Sequence, residues 1–178
     1  FELLIGEKIK LSGENSIFKI GDEVVSLAGV MGGSSTACSD NTNYALVECA
    51  YFVPEAILGK SLKYNIVSDA AYKFERGTDP NAIDRTLRRF IEIVADHASI
   101  ESLEIFTYDS EEFKQKKIKE DFNKINEILG TSITRDKYIS ILEKLGFSID
   151  DGICVPSFRH DIRTQNDLAE EVARVIGY

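Results

Sequence analysis

A polar run at residues 107–117 limits most strongly how this chain can fold, because it separates two stretches with different apolar patterns. The run contains Asp-Ser-Glu-Glu-Phe-Lys-Gln-Lys-Lys, which offers few apolar side chains to a core. A chain of 178 residues is long enough for one medium domain or two small ones. We therefore predict two domains, at 1–106 and 118–178, joined by a linker at 107–117.

The first stretch mixes the patterns of strands and helices, with Gly, Asp and Asn turn signals between them. The segment from Ser68 to Gly77 fits neither period, and we predict an irregular loop there. Pro80 then favours a helix start, with Thr78 or Asp79 as its cap. The predicted elements are strands at 3–5, 17–20, 24–28, 44–50 and 102–106, and helices at 54–64 and 80–98.

The second stretch has the pattern of a smaller, more regular domain. One predicted helix ends at Gly130, and a second runs from the cap Thr134 to Gly146. Two strands are predicted between Phe147 and Phe158, and Thr164 caps a final helix. This order is typical of a winged-helix-like domain, so the chain as a whole is predicted to be α+β.

The charge balance and the cysteines exclude several classes of protein. The net charge is −9, and neither half of the chain is basic, so no general nucleic-acid or anionic-membrane footprint is present. No apolar run reaches the length needed to cross a bilayer. The three cysteines form no CxxC pair, which favours idle thiols in a reducing cytoplasm. Because the chain opens on Phe1 without a Met, we expect it to be a piece of a longer protein.

Two features of the first stretch are candidate ligand contacts. Glu48 is a carboxylate within an apolar predicted strand, which is costly to bury without a donor. It is either an outward-facing edge residue or an acceptor for a ligand hydroxyl or ammonium. The pair Gly32-Gly33 allows either a plain turn or the close approach of the backbone to a ligand.

Charged residues on two predicted helices are further candidates. Arg85, Arg88 and Arg89 share a helix face that is either solvated or meets RNA phosphate. His97 and His160 have no Ser or Cys partner at a recognisable spacing, so we assign no catalytic residue. The most specific set suits Mg²⁺, which prefers carboxylate oxygens, although acids also favour a helix N-terminus and Glu170 can pair with Arg174. This set comprises Asp161, Asp167, Glu170 and Glu171.

Several motifs together resemble the β subunit of bacterial phenylalanyl-tRNA synthetase over nearly the whole chain. Residues 27–33, 48–52 and 68–80 are similar to the B3/B4 region of that family. Residues 155–162 and 167–178 are similar to its B5 domain. The resemblance implies a partial B3/B4 mixed α/β sheet domain, followed by a small winged-helix-like B5 domain.

The resemblance also implies a function and partners. The family joins phenylalanine to tRNA(Phe) with ATP, in a cytoplasmic α2β2 enzyme whose α subunit carries out aminoacylation. Its B3/B4 region hydrolyses tyrosine mischarged onto tRNA(Phe), and its B5 domain binds Mg²⁺ near the α subunit. We expect this chain, which lacks the family's upstream His, to form an editing half-site that relies on a positioned water. It would not bind ATP itself and would have no membrane partner.

Site residues follow from the matched motifs. Glu48 matches the carboxylate that accepts the tyrosine hydroxyl, Gly32 and Ala70 match small residues of the pocket, and Ser68 stands where the family usually has Thr. Lys73 replaces the usual Arg. The Mg²⁺ ligand positions match Asp161, Asp167, Glu170 and Glu171.

A different reading treats the chain as a structural or tRNA-binding module with no chemistry of its own. Lys116, Lys117 and Lys119 could then contact nucleic acid at the second domain. The acidic balance of that half argues against binding by charge alone.

Overall fold

A computed structural model describes residues 1–108 and 113–177 of the chain. The chain divides into two compact units, Phe1–Ala98 (unit 1) and Ser99–Tyr178 (unit 2). The predicted linker at 107–117 includes residues 109–112, which lie outside the described part. The presence of helices and small antiparallel sheets confirms the predicted α+β class. None of the described helices is long and apolar enough to cross a membrane.

Unit 1 begins with a small antiparallel sheet of three strands in the order β1-β2-β3. Its strands are β1 (Ile17–Ile20), β2 (Glu23–Leu27) and β3 (Met31–Gly32). Gly21, at φ +57°, makes the tight turn between β1 and β2. Leu27 faces both Ile17 and Met31 across the sheet, so the strand register brings apolar side chains to the same face.

The helices of unit 1 are short except for the last. They are α1 (Pro54–Ile57), α2 (Lys60–Tyr64), α3 (Asp69–Phe74) and α4 (Ile83–His97). The single helix predicted at 54–64 is divided because Gly59 adopts φ +72°, which cannot continue a right-handed helix. Asp79 caps the turn Pro80–Ala82 that leads into α4, as the sequence predicts.

Residues from the sheet, α1 and α3 form the core of unit 1. The Phe52 ring lies edge-on to that of Phe74, with ring centroids 4.9 Å apart. This contact connects the chain before α1 to the end of α3. The buried core residues are Leu3, Leu27, Val30, Ile57, Ile66 and Ala71.

The strands predicted at 44–50 and 102–106 are wrong. Both segments are irregular, and neither pairs with another strand in the part of the chain that is described. Tyr44 and Leu46 are 92% and 84% exposed, so the apolar side chains that suggested a central strand face solvent. A strand gains its hydrogen bonds and its packing from neighbours, and an apolar run alone does not supply them. The strand predicted at 3–5 is likewise reduced to an isolated bridge from Leu3 to Gly33.

Unit 2 has the predicted order of helix, helix, hairpin and helix, with one additional strand at its start. Its antiparallel sheet has the order β4-β6-β5. The winged-helix-like assignment of this unit stays a prediction. The elements are β4 (Lys117–Ile118), α5 (Phe122–Leu129), α6 (Arg135–Lys144), β5 (Ser148–Ile149), β6 (Ile153–Cys154) and α7 (Gln165–Ile176).

Local signals set the helix ends of unit 2. The side chains of Asp121 and Thr134 accept hydrogen bonds from backbone N–H groups in the first turns of α5 and α6. Gly130 ends α5 in the left-handed conformation, at φ +62°. Thr164 and Asp167 form a complete capping box at α7. These caps fix where α7 starts, which matters because the candidate acidic residues lie there.

The core of unit 2 lies between its three helices and its sheet. Tyr138 of α6 is fully buried, with its ring 6.0 Å from that of Phe122. Its hydroxyl finds no hydrogen-bond partner among the described residues. The buried core residues are Ile118, Ile125, Tyr138, Ile141, Leu142, Phe147, Ile153, Val155, Ile162, Leu168, Ala169 and Val172.

Candidate functional site

The glycines of the β2–β3 turn have different structural reasons. Gly29 has φ +67°, and a Cβ there would lie 2.8 Å from Ile57 Cδ1. A Cβ on Gly33 would lie 2.7 Å from the Phe1 ring. Gly32 is exposed, has no left-handed φ, and a Cβ there would meet nothing within 4 Å. The fold therefore requires glycine at positions 29 and 33, and it leaves open space above position 32.

Ser68 lies at the start of α3, where the sequence predicts a loop. Its Oγ accepts a hydrogen bond from Ala71 N at 3.2 Å, which makes it the helix cap. The same hydroxyl donates to the carbonyl of Val30 at 2.5 Å. Ser68 therefore joins the start of α3 to the β2–β3 turn that carries Gly32. Ala70 lies in the first turn of α3 and is exposed.

Glu48 lies in the irregular segment before α1. The residue is exposed, yet nearby protein atoms displace enough water for burial to raise the pKa of its carboxyl. Among the described residues, no donor forms a hydrogen bond or ion pair with this carboxylate. The next residue is anchored, because Cys49 Sγ donates to the Ile83 carbonyl at 3.5 Å. Glu48 is thus an unpaired acceptor on a segment attached to the start of α4.

The structure places these four residues in one unit without joining all of them. Gly32 and Ser68 are connected through the β2–β3 turn, and no described hydrogen bond joins Glu48 to either of them. A separate surface cleft of about 400 Å³ includes none of the four. It is lined by Phe1, Glu2, Leu11, Glu23, Val24, Ser34 and Ser35.

The carboxylates of unit 2 surround an arginine whose role the sequence does not reveal. Arg159 donates two hydrogen bonds to Glu171, both at 2.7 Å, and two to Asp161, at 2.6 and 2.9 Å. Its side chain is 18% exposed, and that of Glu171 is 6% exposed. The guanidinium lowers the pKa of both carboxyls, and they raise the pKa of Arg159 in return.

The other two carboxylates also have protein partners. Asp167 Oδ2 accepts from the backbone N–H groups of Arg163 and Thr164, at 2.8 and 2.7 Å. The bond from Arg163 is the main cause of the lowered pKa of Asp167. Glu170 pairs with Arg174 at 2.9 Å, on the exposed side of α7. This pair was one of the alternatives that the sequence left open.

The arrangement of these residues does not fit a metal ion. In residues 1–108 and 113–177, no group of three or more His, Cys, Asp or Glu side chains is placed to hold one. Asp161 and Glu171 direct their oxygens at Arg159, and Asp167 directs its own at the start of α7. The assignment of Mg²⁺ to Asp161, Asp167, Glu170 and Glu171 therefore stays a prediction that this arrangement does not support. Arg159 is the residue that the prediction missed, and its signal was a basic residue two positions before Asp161.

The basic candidates are largely engaged within their own units. Lys117 pairs with Asp150 at 2.8 Å, and Lys116 Nζ donates to the Ile162 carbonyl at 3.2 Å. On α4, Arg88 and Arg89 form ion pairs with residues of the same helix. These contacts favour solvated faces over a surface that binds nucleic acid.

Comparisons with known proteins identify both units. The model of the B3/4 domain family matches residues 1–99, and that of the tRNA synthetase B5 domain matches residues 118–178. The chain is 33% identical over 99% of its length to the phenylalanine–tRNA ligase beta subunit of Methylococcus capsulatus. It is 34% identical over its full length to that of Protochlamydia amoebophila, and 35% over 98% to that of Neisseria meningitidis serogroup B.

The chain spans 23% of the length of each of these relatives. The match runs through both units in the same order as the two domain models. The chain carries a B3/4 domain followed by a tRNA synthetase B5 domain, and it belongs to the family of phenylalanine–tRNA ligase beta subunits.

Proposed function

We propose that this chain is the part of a phenylalanine–tRNA ligase beta subunit that contributes the site for hydrolysing tyrosine mischarged onto tRNA(Phe). The longer protein would attach phenylalanine to tRNA(Phe) with ATP, as one subunit of an α2β2 enzyme in the cytoplasm. In this proposal, unit 1 binds the tyrosyl group and unit 2 contacts the α subunit.

The observation that carries the proposal is the state of Glu48. An unpaired carboxylate with a raised pKa retains its capacity to accept a hydrogen bond. The phenol hydroxyl of tyrosine is a donor of the kind it lacks. Phenylalanine has no such group, so the same carboxylate would lose a hydrogen bond with it and bind it less well.

The need for a second site follows from pocket chemistry. An apolar pocket shaped for phenylalanine rejects an analogue with one added hydroxyl only weakly, by about 100-fold. A site built to hydrogen-bond that hydroxyl discriminates by about 10⁴-fold or more. One carboxylate acceptor in a separate hydrolytic site would supply the missing selectivity.

Two other matched positions support the proposal in different ways. Gly32 has open space where a Cβ would stand, which suits the close approach of a ligand to the β3 backbone. Ser68 uses its hydroxyl for the Val30 carbonyl and for the α3 cap. We therefore assign Ser68 to holding the wall that carries Gly32 and Ala70, with no direct bond to the substrate.

The decisive experiment compares Glu48→Ala with Glu55→Ala in the full-length subunit assembled with its partner. Glu55 is a matched control because it is an exposed carboxylate in the first turn of α1. Glu48→Ala is expected to slow the hydrolysis of Tyr-tRNA(Phe) at least about 10-fold, corresponding to a lost hydrogen bond between a charged and a neutral group. Glu55→Ala should hydrolyse it at the wild-type rate.

Charging with phenylalanine separates this result from general damage to the enzyme. Both variants should aminoacylate tRNA(Phe) with phenylalanine normally, since that reaction is assigned to the α subunit. Wild-type hydrolysis of Tyr-tRNA(Phe) by Glu48→Ala would refute the role of Glu48 in editing.

A further inference from the structure

The acidic cluster of unit 2 already holds a cation supplied by the chain. Arg159 donates four hydrogen bonds to the carboxylates of Asp161 and Glu171, all between 2.6 and 2.9 Å. Glu171 is the one charged residue that is buried among the described residues, at 5% exposed. Such a carboxylate needs a fixed partner, and Arg159 provides a bidentate one.

We propose that the Arg159 guanidinium is the structural cation of this cluster, and that unit 2 therefore folds and holds α7 in place without a bound divalent cation. The inference concerns the stability of unit 2 and does not depend on the proposed editing function. It accounts for the disagreement between the predicted Mg²⁺ ligands and their observed partners.

The first argument is the use of the carboxylate oxygens. Mg²⁺ requires a near-octahedral set of oxygens at about 2.0–2.1 Å. Both oxygens of Asp161 and both of Glu171 accept hydrogen bonds from Arg159. Asp167 Oδ2 accepts three hydrogen bonds at the start of α7. A metal ion would have to break these contacts before it could bind.

The second argument is the chemistry of arginine. The guanidinium does not lose its proton at any pH at which the protein is folded, so it cannot make way for a metal by becoming neutral. It would have to move away as a charged group, although its side chain is only 18% exposed. Arg174 adds a second positive charge, at 3.4 Å from Glu171 and 2.9 Å from Glu170. Both cations oppose the entry of Mg²⁺.

The test uses the whole 178-residue chain and the variants Arg159→Met and Arg163→Met. Arg163 is a matched control because it is an exposed arginine of the same segment, and only its backbone N–H binds Asp167. Hydrogen exchange of the α7 amides is measured with EDTA and with millimolar Mg²⁺. In the wild-type chain the two conditions should agree within about twofold, and a calorimetric titration with Mg²⁺ should show no specific binding to unit 2.

In Arg159→Met, exchange of the α7 amides is expected to rise about 100-fold, because Glu171 is left buried without its main partner. Mg²⁺ should then recover part of the protection, since two carboxylates have become available. Arg163→Met should behave as the wild type. Combining Arg159→Met with Glu171→Met should restore most of the protection, because removing both charges leaves no unpaired carboxylate in the interior.

Three results would overturn the proposal. The first is saturable Mg²⁺ binding to unit 2 of the wild-type chain together with slower exchange of α7, which would make the metal the structural cation. The second is equal exchange in Arg159→Met and Arg163→Met, which would show that Arg159 has no special role. The third is a double variant that is no better protected than Arg159→Met alone.

Discussion

Replacing Gly29 by alanine is expected to destabilise unit 1 far more than the same change at Gly59. Both glycines have a left-handed backbone, with φ +67° and +72°, so the backbone strain of an alanine is nearly the same at each. Their surroundings differ. A Cβ at position 29 would lie 2.8 Å from Ile57 Cδ1 and 2.9 Å from Phe52 Cδ2, whereas at position 59 it would meet nothing within 4 Å.

The magnitudes follow from these two contributions. An alanine in the left-handed region costs about 1–2 kcal/mol, and the restricted unfolded chain returns about 0.4–1 kcal/mol. Gly59→Ala should therefore cost about 1 kcal/mol or less. Gly29→Ala carries an added overpacking cost of about 1–3 kcal/mol, because Ile57 is 1% exposed and has no room to move. A difference of about 2 kcal/mol corresponds to about 30-fold in the unfolding equilibrium.

Hydrogen exchange followed peptide by peptide is the suitable assay, because it reports each unit separately. Peptides covering β2 and α3 should exchange about 30-fold faster in Gly29→Ala than in Gly59→Ala. Peptides of unit 2 serve as an internal control and should not change. Equal acceleration in the two variants would refute the argument, since it would show that backbone strain alone decides the cost.

Three further predictions concern single side chains. Tyr138→Phe should stabilise unit 2 by about 1 kcal/mol in urea unfolding, because it removes a buried hydroxyl without a partner among the described residues; a loss of stability would reveal a partner for that group. Since Arg159 lowers the pKa of Glu171 and Asp161, unit 2 should keep its full stability above about pH 5 and lose it as the pH falls below about 4, and Arg159→Met should flatten this acid dependence in a pH series of thermal melts. Ser68→Ala should cost about 1 kcal/mol through the lost α3 cap, measured as faster exchange of the α3 amides, whereas Ser68→Thr should keep the cap and the wild-type rate.

The structure changes the physical meaning of several predicted site residues. Ser68, Asp167 and Glu170 all have partners within their own units, so their chemistry is first of all structural. Glu48 and Gly32 keep the properties that made them candidates, an unpaired acceptor and an open backbone position. The segment from Ser68 to Gly77 combines charged and aromatic residues, and those mixed side chains obscured the short helix α3 within it.

The sequence by itself determined the features that depend on neighbours a few positions away. Helix ends at Gly130, Thr134 and Thr164 follow from caps that act within four residues, and the α+β pattern follows from local periodicity. Only the tertiary structure decided whether the apolar run at 44–50 is a strand, because a strand depends on partners far along the chain. It also decided that Glu171 pairs with Arg159 across 12 positions, since the choice between a metal ion and an arginine depends on which cation the fold brings within reach of the carboxylate.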